Sequence, residues 1–330
     1  MATYYFKDGA TNNFSDISNW YSDIGFTSPA GQIPTSSDSV VIGDSSLSIS
    51  CILTDNFTVS EFQTLVITGN SNMTIGSGGY APILTCNGLV AISNGGFVYL
   101  YSDLVISSSC VFTIFGGLAN YGVIDNSGVL DIKDVGSLTN YSTGIYTNRG
   151  TTYNYGTLNN TGTIACSSAN VFYNRSGSTM ILGVSPAVFV MSSATQFINT
   201  GSVENYGNLV LPAGATVLLD YVGNGGSIIN QNIISNYTFL TIGALGTINN
   251  QASVLNFSSI KVDGMYTNAN TTINNGIFSA SSGGFISVKP ASTFTNNNRF
   301  IFGSKSNTYF KGDIFPQVPS SAAFGTAVLF

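Results

Sequence analysis

Short apolar runs alternate with small-residue bends along most of the chain. Between Val40 and about residue 114, runs such as 64–67 and 89–92 are separated by glycine-rich bends such as 76–79. Runs this short, interrupted this often, favour strands over helices. No stretch combines helix caps with the apolar spacing of an amphipathic helix, so we predict almost no helix.

From residue 120 to about residue 277 a phrase recurs: Asn, any residue, Gly, a small or polar residue, and an aliphatic one. Clear copies, often six residues apart, begin at Asn120, Asn126, Asn154, Asn160, Asn199 and Asn205. Such repetition predicts a solenoid, in which each turn buries its apolar face against the next. Three faces of a strand plus a corner give a triangular turn of roughly eighteen to twenty-four residues. The phrase predicts asparagines stacked at the corners, with Asn and Gly tolerating positive φ at the bends.

The predicted fold is therefore all-β, a single-domain right-handed parallel β-helix (β-solenoid). We expect an N-terminal cap segment at 1–39, the solenoid at 40–304, and an irregular C-terminal segment and tail at 305–330. The last segment is rich in aromatic residues, and two prolines, Pro316 and Pro319, interrupt it. Proline cannot donate to a strand ladder, so the pattern is expected to end there.

The first forty residues differ from the repeats. Trp20 is followed by a Pro-x-x-x-Asp turn from Pro34 to Asp38 and by an aliphatic strand from Val40. This arrangement, with the Asn-Gly style of the repeats, resembles the opening segment of bacterial autotransporter and adhesin passenger β-solenoids. The resemblance implies a segment that leads into the first coils. A large aromatic side chain and a proline turn would cover the exposed edge of the first coil; an aromatic anchor of some other β fold is the alternative.

Composition narrows the possible partners. Apolar residues make up 43% of the chain and charged residues only 7%, with a net charge of −6. The nine basic residues are scattered, which argues against nucleic acid as a partner. No apolar stretch approaches the roughly twenty residues that span a bilayer, so we predict no membrane insertion. The N-terminus shows no recognisable signal peptide, and we expect a virion or an extracellular surface as the location.

The cysteines do not predict a metal site. Cys51, Cys86, Cys110 and Cys166 show no Cys-x-x-Cys spacing, and the chain has no histidine. We therefore expect no metal and no cofactor. Each cysteine lies in or beside an apolar stretch, which favours buried thiols over disulfides. Cys86 and Cys110, about one turn apart, are the best disulfide candidates.

The chemistry of catalysis is sparse. The absence of histidine removes the commonest general base. Catalytic β-helices act mostly on polysaccharides and need paired carboxylates or a carboxylate-bound calcium ion. The one dense acidic group is Asp125, Asp131 and Asp134, near Lys133 and Arg149. We interpret these acids as solvent-facing corner charges and predict no catalytic residues.

Two sets of residues are candidates for binding. Tyrosines directly after corner asparagines, Tyr121, Tyr155 and Tyr206, predict an exposed aromatic ladder for carbohydrate or a protein partner. The apolar tail residues Phe324, Val328, Leu329 and Phe330 are candidates for docking onto a neighbouring subunit; folding back over the last coil is the alternative.

The function that these patterns favour is non-enzymatic. We expect a rigid β-solenoid rod in a larger assembly, such as a virus minor capsid or fibre component. Its partners would be other structural proteins of a particle or surface layer. The first alternative is a surface adhesin that binds glycans, and the second is a polysaccharide-acting enzyme that uses the acidic group.

Overall fold

The structure is a computed structural model. It describes residues 2–7, 9, 11–44, 46, 48–167, 170–175, 177–183, 187–191, 196–205, 208–211, 216–219, 226–236, 239–280, 284–289, 292–302, 307–310 and 313–316. The chain divides into two compact units, an N-terminal unit (Met1–Ile164) and a C-terminal unit (Ala165–Phe330). Each unit is described by itself. This division differs from the boundaries at residues 39 and 304, which stay predictions.

The regular structure in the described residues is almost wholly β. The one helical element there is a single 3-10 turn at Ile17–Asn19. The strands form three parallel sheets in each unit, and the chain visits sheets 1, 2 and 3 in turn before it starts the next coil. This confirms the predicted parallel β-solenoid.

The N-terminal unit begins with a cap and continues as stacked coils. Sheet 1 comprises Trp20–Tyr21, Thr3–Phe6, Ser39–Ile42, Thr64–Ile67, Leu89–Ile92, Val111–Ile114, Val129–Ile132 and Thr151–Asn154. Sheet 2 comprises Ser50–Leu53, Asn72–Ile75, Phe97–Leu100, Gly117–Asn120, Ser137–Asn140 and Thr157–Asn160. Sheet 3 comprises Phe57–Val59, Ile83–Cys86, Asp103–Ile106, Val123–Asn126, Ile145–Asn148 and Thr163–Cys166, the last of which contains the boundary between the units.

The C-terminal unit repeats the same order. Sheet 1 comprises Val171–Asn174, Gln196–Asn199, Thr216–Leu219, Phe239–Ile242, Ser259–Val262, Ile277–Ala280 and Arg299–Phe302. Sheet 2 comprises Thr179–Leu182, Ser202–Asn205, Gly226–Asn230, Gly246–Asn250, Met265–Asn268, Phe285–Val288 and Asn307–Phe310. Sheet 3 comprises Val188–Met191, Asn208–Leu211, Ile233–Asn236, Ser253–Asn256, Thr271–Asn274, Thr293–Asn296 and Asp313–Pro316. The strands at 307–310 and 313–316 lie within the segment that was expected to be irregular.

Most strands have four residues, of which the second and fourth point inward. In Thr64–Ile67, for example, Leu65 and Ile67 are buried while the alternate positions are partly exposed. Side chains of a strand alternate between its two faces, so each strand contributes two inward side chains to the core. Aliphatic side chains then stack on those of the next coil, and this burial stabilises the fold.

The N-terminal segment closes the first coil. Thr3–Phe6 pairs in parallel with Ser39–Ile42 and antiparallel with Trp20–Tyr21. Trp20 is fully buried, and its indole Nε1–H donates to the Phe14 carbonyl at 2.7 Å. Its ring packs edge-on against those of Phe6 and Phe14, with centroids 5.1 and 4.8 Å away. Trp20 therefore anchors the N-terminal segment against the first coil.

The glycines of the repeated phrase do not have the role that we expected. In the described residues, positive φ occurs at other glycines, such as Gly43 and Gly95, and at three non-glycine residues. A Cβ at Gly122 would overlap the carbonyl oxygen of Ser102 in the preceding coil, and one at Gly162 would overlap that of Tyr141. Glycine is needed in the phrase for close approach between coils, and the expectation of positive φ there is wrong.

The cysteines divide into two kinds. Cys86 and Cys110 form a disulfide with a Cα–Cα distance of 5.7 Å, across adjacent coils of the N-terminal unit. Cys51 and Cys166 are buried and lie outside this disulfide. The preference for thiols is therefore wrong for the first pair, because stacking brings residues one turn apart within bonding distance.

Candidate functional site

The repeated asparagines form ladders inside each unit. In the N-terminal unit, the Asn120 side-chain amide donates to Asn140 Oδ1 at 2.7 Å, and Asn140 donates in the same way to Asn160 at 2.7 Å. A second ladder joins Asn126 to Asn148 at 2.8 Å. All five side chains are fully buried. The asparagines occupy the fourth, inward position of their strands, which confirms the predicted stacking at the corners.

The first amide of each of these two ladders also bonds to the backbone. The second N–H of Asn120 donates to the Ile145 carbonyl at 3.2 Å, and its Oδ1 accepts the backbone N–H of Gly122 at 3.1 Å. Asn126 repeats both contacts, with Thr151 and Gly128. Because a buried amide without partners is costly, this network lets a polar residue fill the interior. The recurring asparagines therefore have a structural role.

The C-terminal unit has longer ladders. One runs through Asn205, Asn230, Asn250 and Asn268, with donor–acceptor distances of 2.8 Å at each step. Another runs through Asn236, Asn256, Asn274 and Asn296, with distances between 2.6 and 2.8 Å. A third pair, Asn174 and Asn199, is joined at 2.7 Å. Amide bonding along the stack is thus common to both units.

The acidic group is divided between two sheets. Asp125 lies on sheet 3 and forms an ion pair with Arg149, whereas Asp131 lies on sheet 1 and forms an ion pair with Lys133 at 2.5 Å. Asp134 is exposed at the corner after that strand of sheet 1. Different sheets face different directions, so the three carboxylates do not line one cleft. The described residues hold no cluster of three or more histidine, cysteine or acidic side chains suited to a metal ion.

The tyrosines that we expected to form one ladder are not all together. Tyr121 follows the sheet 2 strand Gly117–Asn120, whereas Tyr155 follows the sheet 1 strand Thr151–Asn154. These positions are different corners of the solenoid. The Tyr155 ring lies 6.4 Å from that of Tyr153, with Lys133 Nζ 5.6 Å from its centroid. Tyr206 lies outside the described residues.

A stacked set, which we call the tyrosine ladder, does exist around Tyr121. The rings of Tyr101 and Tyr121 are stacked at 4.9 Å and those of Tyr121 and Tyr141 at 4.2 Å, within 8° of parallel. Each tyrosine directly follows a sheet 2 strand, in three consecutive coils. Tyr101 was missed because the residue before it is Leu100 and not asparagine. The signal that finds the ladder is coil register: Leu100 pairs with Asn120.

Tyr121, the central residue of the tyrosine ladder, keeps its phenol proton to a higher pH than a free tyrosine does. A hydrogen bond to the Tyr141 hydroxyl, together with desolvation and the neighbouring phenols, raises the pKa of Tyr121 to about 12. Tyr101 and Tyr141 remain exposed, at 52% and 37% of their surface. The central tyrosine has a ring stacked on each side, so it presents its edge and hydroxyl to solvent.

Next to the tyrosine ladder, two further aromatic rings lie on the outer face of sheet 2; we call Phe97 and Tyr99 the aromatic platform. Their ring centroids are 4.6 Å apart. The Phe97 ring occupies the space that a side chain at position 117 would need, and glycine stands there. Ala119, the register partner of Tyr99, is only 1% exposed although it is on the outer face of the sheet. Two small residues in the next coil thus leave room for the platform.

The C-terminal unit carries a shallow groove of about 410 Å³ on the outer face of its sheet 2. Hydroxyl side chains such as Ser227, Thr247 and Ser287 line it, together with Met265 and Phe285. No carboxylate is among the described residues that line this groove, so it has no paired acid and base.

The predicted docking site in the C-terminal tail lies outside the residues that the structure describes. Phe324, Val328, Leu329 and Phe330 are outside the described residues, and their role in docking stays a prediction. In the part of the chain that the structure describes, no helix is both long and apolar enough to cross a membrane.

Comparisons with known proteins give little similarity. No protein-family model matches the chain, and no curated protein matches it. Among solved structures, the chain is similar to a TibC-catalysed, hyper-glycosylated fragment of TibA that comprises residues 55–350. The match has 14% sequence identity and a TM-score of 0.28, and it covers 82% of this chain and 92% of that chain.

Proposed function

We propose that this chain is a non-enzymatic structural protein, a rigid β-solenoid element of a larger assembly. The observation that supports this function best is the set of buried asparagine ladders. Amides along each ladder bond to the next coil and to the backbone, so directional contacts hold neighbouring coils of a unit in one register. A scaffold needs such internal rigidity.

The distribution of charge also supports a scaffold. The acids with the best claim to catalysis, Asp125 and Asp131, are on different sheets, and each has a basic partner. General acid–base hydrolysis of a polysaccharide needs two carboxylates on either side of one bond. The polysaccharide-acting enzyme is therefore the function that the described residues support least.

Copy number tests the proposal. Quantitative mass spectrometry of the particles or surface layers purified from the protein's source is expected to find the chain at a fixed ratio to their main components. Its presence only as a trace soluble protein would contradict a structural role. Whether the assembly is a virion, with the chain as minor capsid or fibre component, or a surface layer stays a prediction that this measurement addresses.

A second candidate function is a surface adhesin that binds glycans. The specific observation that favours it is the exposed aromatic surface of the N-terminal unit, the tyrosine ladder and the aromatic platform together. Exposed aromatic side chains beside hydroxyl groups are suited to recognition, because one end of tyrosine is apolar and the other forms hydrogen bonds. A scaffold and an adhesin are compatible in one chain.

A further inference from the structure

The aromatic surface of the N-terminal unit has two parts with different binding properties. In the tyrosine ladder, stacking covers both ring faces of Tyr121, so this part offers a row of ring edges and hydroxyl groups. In the aromatic platform, the Phe97 ring lies over Gly117. A ring that rests on the sheet by one side leaves its other side available to a ligand.

Local charge restricts the ligand. The sequence has no lysine or arginine between Lys7 and Lys133, a stretch that includes both platform residues and two of the three ladder tyrosines. Asp103, two residues after Tyr101, is exposed at the start of its sheet 3 strand. An anionic ligand would find no cation on the strands that carry these residues and would meet a carboxylate, so charge disfavours phosphates and acidic polysaccharides.

The geometry points to a neutral ligand with a flat apolar side and many hydroxyl groups. We propose that the aromatic platform and the tyrosine ladder together bind a neutral oligosaccharide. A pyranose ring would stack on Phe97 and Tyr99, and its hydroxyl groups would bond to the phenols of the tyrosine ladder. This inference rests on the second candidate function, adhesion, and is independent of the structural role.

Calorimetric titration of the full chain tests the ligand class. The neutral probes are cellohexaose, maltohexaose and mannohexaose, and the comparison probes are hexagalacturonic acid and a short oligolysine peptide. We expect at least one neutral probe to bind and the anionic probe not to bind. Absence of binding by all three neutral probes overturns the proposal. Tighter binding of oligolysine than of every neutral sugar also overturns it, because the acidic surface would then be a site for cations.

Variants locate the site. Tyr99→Ala is expected to weaken binding of the neutral probe about tenfold or more, as central aromatic contacts usually do, while Tyr99→Phe retains it. Gly117→Ala adds a methyl group under the Phe97 ring without removing any exposed side chain, and the same loss is expected. The matched control is Phe257→Ala, which removes a corner aromatic of the C-terminal unit that is 44% exposed.

Folding of each variant is checked by circular dichroism. Should Tyr99→Ala fail to fold, Gly117→Ala and Tyr99→Phe still decide the matter. Binding that is unchanged in Gly117→Ala, or equally reduced in Phe257→Ala, overturns the proposed location. Failure of this proposal leaves the copy-number measurement untouched, so the two functions are tested separately.

Discussion

Two regions of the N-terminal unit fill the same inward corner position in different ways. In the earlier coils of sheet 2 the fourth strand residue is aliphatic, and in the later coils it is asparagine. The register runs through Leu53, Ile75, Leu100, Asn120, Asn140 and Asn160. All six are buried. The backbone geometry is thus shared, while the stabilising interaction changes from hydrophobic contact to directional hydrogen bonding.

Aliphatic and asparagine residues at this corner position need different neighbours in the adjacent coils. An aliphatic side chain gains from any apolar neighbour, so one such coil tolerates a different aliphatic residue in the next. An asparagine needs a second amide in register one coil away. At the junction, the Asn120 Oδ1 accepts the Gly122 N–H, while Leu100 in the preceding coil offers it no side-chain donor. Ladders therefore occur as continuous runs, and they also fix the register of the coils.

The largest loss of stability is expected when an amide side chain is placed at one of the aliphatic corner positions. Ile75 lies between Leu53 and Leu100, so Ile75→Asn would bury an amide with no ladder partner on either side. We expect a loss of about 4 kcal/mol or more, from lost apolar contact plus an unsatisfied polar group. Urea denaturation followed by circular dichroism measures this loss. The control Ile75→Val should cost only about 1 kcal/mol; equal costs would mean that the two corner types are interchangeable.

The next largest loss of stability is expected from removal of the disulfide, which lies in the coils whose corners are aliphatic. It joins Cys86 and Cys110, which are 24 residues apart. The double variant Cys86→Ser/Cys110→Ser is expected to lose about 3 kcal/mol, as chain-entropy arguments give for a loop of this size. Thermal unfolding with and without reductant checks this. A reductant effect that persists in the double variant would contradict it, as would alkylation of four thiols in the unreduced, denatured protein.

The reciprocal replacement in the asparagine region is expected to be milder. Asn140→Leu keeps the number and branching of the side-chain heavy atoms but removes the acceptor for Asn120 and the donor to Asn160. We expect a loss of about 2 kcal/mol, since new apolar contact offsets part of the cost. The matched control is Asn159→Leu, which changes an outward asparagine of the adjacent coil and should be near neutral. Hydrogen exchange at coils around residue 140 would locate the change.

The smallest change in stability is expected in the tyrosine ladder. Its first residue follows an aliphatic corner residue, and its other two follow asparagines. The pKa of Tyr121 is about 12, above the ordinary value of 10.0. The folded state therefore holds this proton more tightly, and the associated stability is complete below pH 10 and is lost between about pH 10 and pH 12. Tyr121→Phe should make stability less dependent on pH in that window. Ultraviolet titration of the phenols reports the same group; an unchanged titration curve in the variant would contradict the assignment.

Several features followed from the sequence because their causes are local. Alternation of inward and outward side chains is a property of any strand, so short alternating runs gave the all-β class. Recurrence of the asparagine phrase predicted the stacking of asparagines, because identical repeats in register place the same residue type at the same position in each coil. Trp20 and the turn before Val40 indicated a closing segment, since a single large aromatic among small residues is conspicuous.

Other features depended on which residues share a corner, and the sequence spacing does not give this. From Ser39 onward, the described register partners on adjacent coils lie between 18 residues (from 247 to 265) and 27 residues (from 57 to 84) apart, because the loops differ in length. Tyr121 and Tyr155 therefore look equivalent in sequence but occupy different corners, while Tyr101 joins the ladder without a preceding asparagine. For the same reason, Asp125 and Asp131 are close in the chain but on different sheets.

The sequence by itself determined the strand pattern, the solenoid class and the polar corner residue, all of which arise within one or two repeats. Only the tertiary structure decided three features: the Cys86–Cys110 disulfide, the need for glycine where the backbone touches the preceding coil, and the neighbours of each surface aromatic residue. Those depend on distances of a few ångströms between residues one turn apart. The lengths of the loops decide which residues face each other across neighbouring coils, and differences in loop length add up along the chain.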